Sequence, residues 1–363
     1  MNLFDRIEQY ATEQVVIGAD PASGLRSIIV IDDSTLGPAL GGVRMWPYAD
    51  EDQAVADGLR LAQAMTLKAA AAGLNLGGGA SLIIADPAHD KSEALLRAHG
   101  RYIATLGGRF IPVNDVGTTQ ADIEVIGCET APVCDRGDPS PYTALGVLES
   151  IRAGLRATHG SGDLAGVKVA IQGTGNVGSH LVRLLRAESA ETIVADLVAE
   201  RAHEVADRYG AKVVPAGEIL SSDCDVLAPC ALGEVVTEKM LPRLRCRVIA
   251  GGANNVLAAP ALAGALARDG IRYVPDFLAS AGGLIYLEEQ LLGHDDQRAM
   301  ARVRRVGNTV AEVFERAGRE EITTVEAAMA LALARLAARR SHPPYLGCGL
   351  RGMGRSLKES IRM

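Results

Sequence analysis

A lysine on an otherwise apolar helical stripe, followed at once by a run of glycines, is the first feature able to do chemistry. In residues 58–81, GLRLAQAMTLKAAAAGLNLGGGAS, the side chains Leu61, Ala62, Met65, Lys68 and Ala69 recur at helical spacing. Four of the five are apolar, so the stripe is expected to be buried. An unpaired buried ammonium is too costly, so Lys68 must either snorkel to water or meet an anion inside a cleft. Small residues 69–72 and an expected turn over residues 73–79 would let backbone and ligand approach closely. An isolated lysine of this kind usually snorkels; the rest of the chain argues for the cleft.

A second constellation points to a dinucleotide. Gly173, Gly175 and Gly178 sit in GTGNVG, directly after an apolar run at 167–172 and at the start of a helical pattern. The first glycine serves the tight turn, the second lets a pyrophosphate approach, and the third allows close helix–strand packing. The helix start at Asn176 and Val177 offers unpaired N–H groups to phosphates, with Thr174 beside them. Asp196 ends the next strand at the expected offset. Its carboxylate should accept hydrogen bonds from the adenosine ribose and repel a 2′-phosphate, favouring NAD over NADP. Arg201 nearby could soften that preference. As a surface loop acid, Asp196 would be oddly placed. The run AGGANN at 250–255 follows another strand, where asparagines could equally be turn formers.

These residues need an α/β scaffold. After a first amphipathic helix, two β-branched runs at 15–19 and 26–31 flank the turn DPASG and read as a hairpin. A strand at 41–45, a long helix at 50–71, a strand at 81–85, a helix at 91–106 and a strand at 110–113 follow. The last strand runs into Asn114-Asp115, and a short helix opens near Thr119. The stretch GDPSP at 137–141 is the expected domain boundary. A helix at 142–157 crosses it. Strands at 167–172, 192–195, 212–214, 226–228, 247–249 and 272–274, with helices at 176–187 and 200–209, then imply a parallel, doubly wound sheet. Helices are expected at 276–292, 298–317 and 323–340. The fold class is therefore α/β in two domains: 1–141 for substrate and oligomerisation, joined by a returning C-terminal segment 324–363, and 142–323 as a Rossmann-type NAD domain.

Bulk properties exclude several classes. The 363 residues carry a formal net charge of -7 with no long basic run, which argues against a nucleic-acid partner. No apolar stretch is long enough to span a bilayer. The start, MNLFDRIEQYATEQ, has no basic leader or apolar core, so a soluble cytoplasmic protein is expected. Six cysteines, at 128, 134, 224, 230, 246 and 348, lack CxxC or histidine-paired spacing, so reduced thiols are expected and no metal site is.

The stretches GGVRMW (41–46), AMTLK (64–68), AAAGLNLGGG (70–79), NDVGTT (114–119) and ANN (253–255) resemble the leucine, valine and phenylalanine dehydrogenases. This amino-acid dehydrogenase family also includes glutamate dehydrogenase, and the leucine enzymes are the nearest fit. The similarity runs in order from about residue 17 to 289. It implies NAD-dependent oxidation of an amino acid to a 2-oxo acid and ammonia. It implies that Lys68 pairs with the substrate carboxylate, helped by Asn254. Asp115 would contact the amino group and shuttle protons, while Gly41 and Gly42 line the pocket. It places Asn255 and the APCA segment, with Ala228, Pro229 and Cys230, beside the nicotinamide. A homo-oligomer built through the first domain and tail is also implied.

One departure bears on the chemistry. The family's glycine run ends in a lysine that activates water and polarises the reacting oxygen; here the position is Ala80. Alanine can do neither, and Ser81 beside it points elsewhere and has no useful pKa. Losing a positioned general acid–base removes about 10²–10⁴ in rate. Two explanations stand: an inactivating substitution, engineered or natural, or a natural variant specialised for another reaction such as reducing a preformed imine. Intact GGG and SLII around a single change favour an engineered substitution. A catalytically silent cofactor-binding homologue is disfavoured by the intact GTGNVG, Asp196, Lys68 and Asp115. The aligned side-chain pocket is Leu40, Val113, Leu284 and Leu287, all aliphatic, which suits an apolar side chain and not a charged one. Val113, Leu284 and Leu287 are larger than their leucine-dehydrogenase counterparts and would shrink the pocket. Tyr286 stands where those enzymes have an asparagine, and the loop at 131–137 is shorter than theirs.

Overall fold

The computed structural model describes residues 3–134 and 137–341, which form two domains around two β-sheets. The first contains α1 (Leu3–Tyr10), β1 (Gln14–Asp20), β2 (Leu25–Asp33), β3 (Ala39–Trp46), α2 (Glu51–Ala71), β4 (Gly77–Ile84), α3 (Glu93–Ala104), β5 (Phe110–Asn114) and α4 (Gln120–Gly127). Its strand order is β1-β2-β4-β3-β5. The expected hairpin pairs β1 with β2 antiparallel, β2 pairs β4 antiparallel, and β3 runs parallel to both β4 and β5.

Alternation along β4 divides the two faces of this sheet. Ala80 and Leu82 pack with Val55, Leu59 and Ala62 of α2. Ile83 packs with Leu95, Leu96 and Ile103 of α3. The glycine run therefore departs from the expected turn. Only its first part turns, with Gly73 at φ +75, whereas Gly77, Gly78 and Gly79 are already strand. Gly78 is needed because α2 lies directly on it: an added Cβ would sit 2.0 Å from the Thr66 backbone nitrogen.

On the opposite face, Ser81 Oγ lies 2.5 Å from His99 Nε2, and Ser27 Oγ lies 3.0 Å from His99 Nδ1. The imidazole is completely buried, and burial pushes its pKa down to about 3. A histidine whose folded pKa lies below its unfolded value contributes stability above about pH 6.5 that is lost as pH falls toward 3. Buried Asp32, which burial raises to about 6 despite hydrogen bonds from Thr66 and Thr12, works in the opposite sense between its unfolded value and 6. The difference between wild type and His99→Gln isolates the histidine. Urea unfolding should show wild type losing stability relative to the variant by up to about 1.4 kcal/mol per pH unit below 6.5. A pH-independent difference would contradict the burial argument.

The second domain begins with α5 (Ser140–His159), followed by β6 (Lys168–Gln172), α6 (Asn176–Ala187), β7 (Glu191–Ala195), α7 (Ala199–Tyr209), β8 (Lys212–Val213), β9 (Val226–Pro229), β10 (Val248–Ile249), α8 (Leu262–Arg268) and β11 (Arg272–Tyr273). All six strands are parallel, in the order β11-β10-β9-β6-β7-β8. The chain moves outward from β6 to β8 and then jumps back to β9, so the switch point lies between β6 and β9. Helix α8 has no counterpart in the sequence reading.

The remaining helices are α9 (Asp276–Ala279), α10 (Gly282–Leu291), α11 (Asp296–Arg304), α12 (Val306–Glu320) and α13 (Thr324–Ser341). The continuous helix expected over 276–292 is broken at Ser280 and Ala281. There the start of α10 presses on α5 so closely that a Cβ at Gly282 would lie 2.0 Å from the Tyr142 carbonyl. The helix expected over 298–317 is likewise divided, at Arg305. Helix α13 returns to the first domain as expected and lies on α2. Arg335 donates from Nη1 to the Ala70 carbonyl at 3.2 Å and from Nη2 to Asn75 Oδ1 at 3.2 Å, capping the end of the Lys68 helix. Arg340 pairs with Asp33. From α10, Glu288 accepts the Asn75 N–H at 2.6 Å, and Arg302 pairs with both Glu288 and Glu289. Tyr286 is occupied in packing, its ring stacked on Tyr142 at 4.3 Å. The tail at 342–363, with Cys348, lies outside the described residues, as do two residues of the 131–137 loop. None of the described helices is long and apolar enough to cross a membrane.

Candidate active site

Lys68 does not snorkel to bulk water. The core side of α2 is Val55, Leu59, Ala62, Thr66 and Ala69, while Leu61, Met65 and Lys68 form a neighbouring, half-buried stripe. That stripe walls a cleft of about 220 Å³ facing the second domain. Lys68 Nζ donates to Ser280 Oγ at 2.9 Å, and Ser280 Oγ lies 3.4 Å from Asn254 Oδ1. Burial pushes the Lys68 pKa down to about 8, with the charge of Asp276 opposing it.

Asp115 enters the same cleft from the carboxyl end of β5. Its backbone N–H donates to Thr118 Oγ1 at 3.0 Å, and that hydroxyl reaches the Val43 carbonyl at 2.6 Å, locking the strand-to-helix turn. Arg44 Nε donates to Asp115 Oδ2 at 3.1 Å while its Nη1 meets Asp57 at 2.8 Å. Asp57 also accepts the Tyr48 hydroxyl at 2.6 Å. Burial alone would weaken the Arg44 charge, but Asp115 and Asp57 outweigh it and hold the guanidinium pKa above its usual value. Arg44 is thus a fixed cation that orients the Asp115 carboxylate.

Gly42 lines this cleft, and its lack of a side chain makes room for Asp115: a Cβ would fall 2.6 Å from Asp115 Cβ. Gly41 faces the other way, where a Cβ would meet the Gly79 carbonyl at 2.1 Å, so it serves strand packing rather than the wall. Ala80 is only 1% exposed and closes the cleft beside Gly79. Ser81 points to the opposite face, to His99. The titratable residues on the wall, among those described, are Arg44, Lys68, Asp115 and Asp276. Apolar wall is supplied by Leu61, Met65, Val113 and Phe277. Leu40 and Leu284 are buried in the adjoining core with Val113, and Leu287 packs against it. Arg44, Leu61, Met65, Asp276, Phe277 and Ser280 were not singled out as site residues from the sequence. Arg44 lies inside the GGVRMW motif and Met65 on the Lys68 stripe, whereas nothing local marks Ser280.

The dinucleotide turn follows β6 as expected. Gly173 has φ +91, and Gly178 permits helix contact, since a Cβ there would stand 1.9 Å from the Gly173 carbonyl. A Cβ at Gly175 would meet nothing, leaving open space over the start of α6. A cavity of about 560 Å³ runs from Gly173 and Gly175 past Asp196 to Ile219, Cys230 and Ala231. Exposed Leu197 and Leu232 flank it, apolar faces suited to a flat aromatic base. Asp196 accepts the Thr174 N–H on Oδ2 at 2.8 Å and the Val198 N–H on Oδ1 at 2.9 Å. Thr174 is otherwise buried and Asn176 is exposed at the start of α6. Ala228 and Pro229 lie buried within β9, away from that wall, and Val177 packs beneath Gly252. Cys230 stands on the wall, its thiol pushed up to about 11 by burial. Asn254 and Asn255 line the Lys68 cleft, and the Asn255 carbonyl accepts the Glu234 N–H at 2.6 Å, tying this loop to the one after β9. Cavity and cleft therefore share the carboxyl edge of β6, β9 and β10. The open turn, the acid and the apolar flanks fit a dinucleotide.

Comparison with known proteins agrees with this geometry. Residues 12–131 match the model of the Glu/Leu/Phe/Val dehydrogenase dimerisation domain, and residues 194–342 match that of glutamate/leucine/phenylalanine/valine dehydrogenase. A leucine dehydrogenase from Bacillus cereus is 44% identical over 96% of this chain and 98% of its own length. A valine dehydrogenase from Streptomyces coelicolor is 40% identical over 93% and 95%. The crystal structure of L-tryptophan dehydrogenase from Nostoc punctiforme superposes with a TM-score of 0.86 at 40% identity, covering 93% of this chain and all of that one. With a lysine-bearing cleft facing a dinucleotide fold across two domains, and matches along nearly its whole length, the chain belongs to the glutamate/leucine/phenylalanine/valine dehydrogenase family of oxidoreductases.

Proposed function

We propose that this chain is an NAD-linked oxidoreductase acting at the α-carbon of an apolar L-amino acid of leucine or valine type. Its water-handling step is impaired by Ala80. The observation that carries the reading is the meeting of Lys68, Asn254, Asp115 and Ala80 on one cleft at the nucleotide edge. NAD, when bound, accepts a hydride from the α-carbon in oxidation or returns it in reduction. Lys68 and Asn254 hold the substrate carboxylate, with Ser280 keeping the ammonium aimed inward. Asp115, steadied by Arg44, accepts a hydrogen bond from the amino group and takes up its proton. Leu61, Met65, Val113 and Phe277 receive the side chain and exclude water from it. A division into 1–141 with 324–363 and 142–323 is supported by the two separate sheets and by the seat of α13 on α2, with α5 starting at Ser140, two residues ahead of that boundary. Oligomerisation through the first domain is supported by its match to a dimerisation-domain model.

A second reading is favoured by the wall around position 80, where alanine packs with Val30, Leu59, Ala62 and Leu82 and, among the described residues, no titratable group lines the cleft beyond Arg44, Lys68, Asp115 and Asp276. Hydride transfer to a preformed imine needs carboxylate capture and proton delivery but not water activation. The test compares NADH oxidation with 4-methyl-2-oxopentanoate plus ammonia against NADH oxidation with a cyclic imino acid. Faster turnover of the imine selects imine reduction, faster turnover of the oxo acid selects the dehydrogenase, and turnover of neither sinks both as native activities.

A further inference from the structure

Arg44 enters the cleft on the side that Ala80 leaves bare. Along the parallel β3–β4 ladder Val43 pairs with Ser81 and Arg44 with Leu82, and side chains alternate between the faces of a sheet. Arg44 therefore stands on the face of Leu82 and Ala80, two residues along from position 80, and both Arg44 and Ala80 line the cleft.

The guanidinium is held at two points. Nε donates to Asp115 Oδ2 at 3.1 Å and Nη1 to Asp57 Oδ2 at 2.8 Å. Asp57 is itself fixed by the Tyr48 hydroxyl at 2.6 Å and by Arg60 at 2.8 Å. In a planar guanidinium Nη2 shares an edge with Nε, so its N–H groups are directed to the side on which Asp115 enters the cleft. Among the described residues the bonds from Arg44 are those of Nε and Nη1, which leaves Nη2 free. A donor fixed in advance beside a reacting centre stabilises charge as it develops there. Lys68 is committed to the substrate carboxylate, and alanine at position 80 offers no donor.

We infer that Arg44 is a catalytic residue whose Nη2 donates to the 2-oxo oxygen of the substrate. This rests on the oxidoreductase reading above. When ammonia adds to the 2-oxo carbon, the C–N bond forms and the π pair of the C=O bond moves onto oxygen, where the Nη2 hydrogen bond stabilises it. The surplus proton on nitrogen passes to Asp115. Arg44 keeps its own protons throughout, so it polarises the oxygen without acting as a base.

Isothermal titration of the NADH-bound full chain with 4-methyl-2-oxopentanoate and with 4-methylpentanoate, which lacks the 2-oxo oxygen, tests it. The unaltered chain should bind the oxo acid about tenfold or more tighter, the worth of a hydrogen bond from a charged donor. Arg44→Met should lower that preference by about fivefold or more, both alone and on an Asp115→Asn background. The second background is decisive, because a residue acting only through the Asp115 carboxylate moves nothing once that carboxylate is gone. Arg44→Lys keeps a cation for Asp57 but not the planar fork, and should lose the preference likewise, which decides the matter where the methionine variant fails to bind NADH. A preference under about tenfold in the unaltered chain overturns the inference, as does a loss of less than about fivefold on the Asp115→Asn background. Binding of neither acid overturns the substrate reading of the cleft itself, and this inference with it.

Discussion

Ala80→Lys is expected to raise NAD-dependent deamination of leucine by about 10²–10⁴-fold, the usual worth of a positioned general acid–base. Position 80 lies on β4, 1% exposed, with Asp115 and Lys68 on the walls of the same cleft. A lysine there borders the cleft that also holds Gly42, Met65, Lys68 and Asp115, while Val30, Leu59, Ala62 and Leu82 share its apolar cluster. The cleft would then hold three cations, Arg44, Lys68 and the new amine, against two carboxylates, Asp115 and Asp276. This excess of positive charge together with burial lowers the pKa of the new amine toward working pH and suits it to act as a base. Filling the site could also overpack it by about 1–3 kcal/mol, so thermal unfolding and NADH binding should be measured alongside steady-state rates. A folded, NADH-binding variant with no gain on leucine would reject the view that Ala80 alone separates this chain from an ordinary dehydrogenase.

Lys68→Met should weaken capture of a 2-oxo acid by the NADH-bound protein by about 30–5,000-fold, because truncating one partner of a buried charge pair costs about 2–5 kcal/mol. Methionine preserves the length and apolar stem on the Leu61, Met65, Lys68 stripe, so helix packing should survive. The pH dependence carries the sign. The ammonium must be charged to hold a carboxylate, and burial lowers its pKa to about 8 against the pull of Asp276. Affinity should therefore stay level up to about pH 8 and then fall by about tenfold per unit, while Lys68→Met shows no such limb. Isothermal titration across pH 6.5–9.5, a range of about three units, decides it. An unchanged affinity in Lys68→Met would remove the carboxylate from this position.

Local signals served the scaffold well because they act over a few residues. Asp50 accepts the Gln53 N–H at 2.8 Å and starts α2 where the helical pattern begins. The boundaries of α6 coincide with the reading from GTGNVG, and Asp196 follows directly on β7, at the position its offset implied. Where local reading failed, a distant neighbour decided. Gly77–Gly79 looked like a turn but became strand because it pairs with β2 on one side and β3 on the other. The helix over 276–292 broke where it meets α5, and the break delivers Ser280 to Lys68. Gly41 and Gly42, equal in the sequence, face opposite sides of the sheet.

By itself the chain's order of residues determined the two-domain α/β plan and the nucleotide turn, because helical and strand periods and turn chemistry are written within short windows. The candidate roles of Lys68, Asp115 and Asn254 came instead from its resemblance to the amino-acid dehydrogenases. Only the tertiary structure decided which stripe of α2 faces the cleft, that Arg44 steadies Asp115, and that Lys68 meets a serine 212 positions away. Those choices are made by packing between elements far apart in the chain, and such packing leaves no periodic mark on either partner.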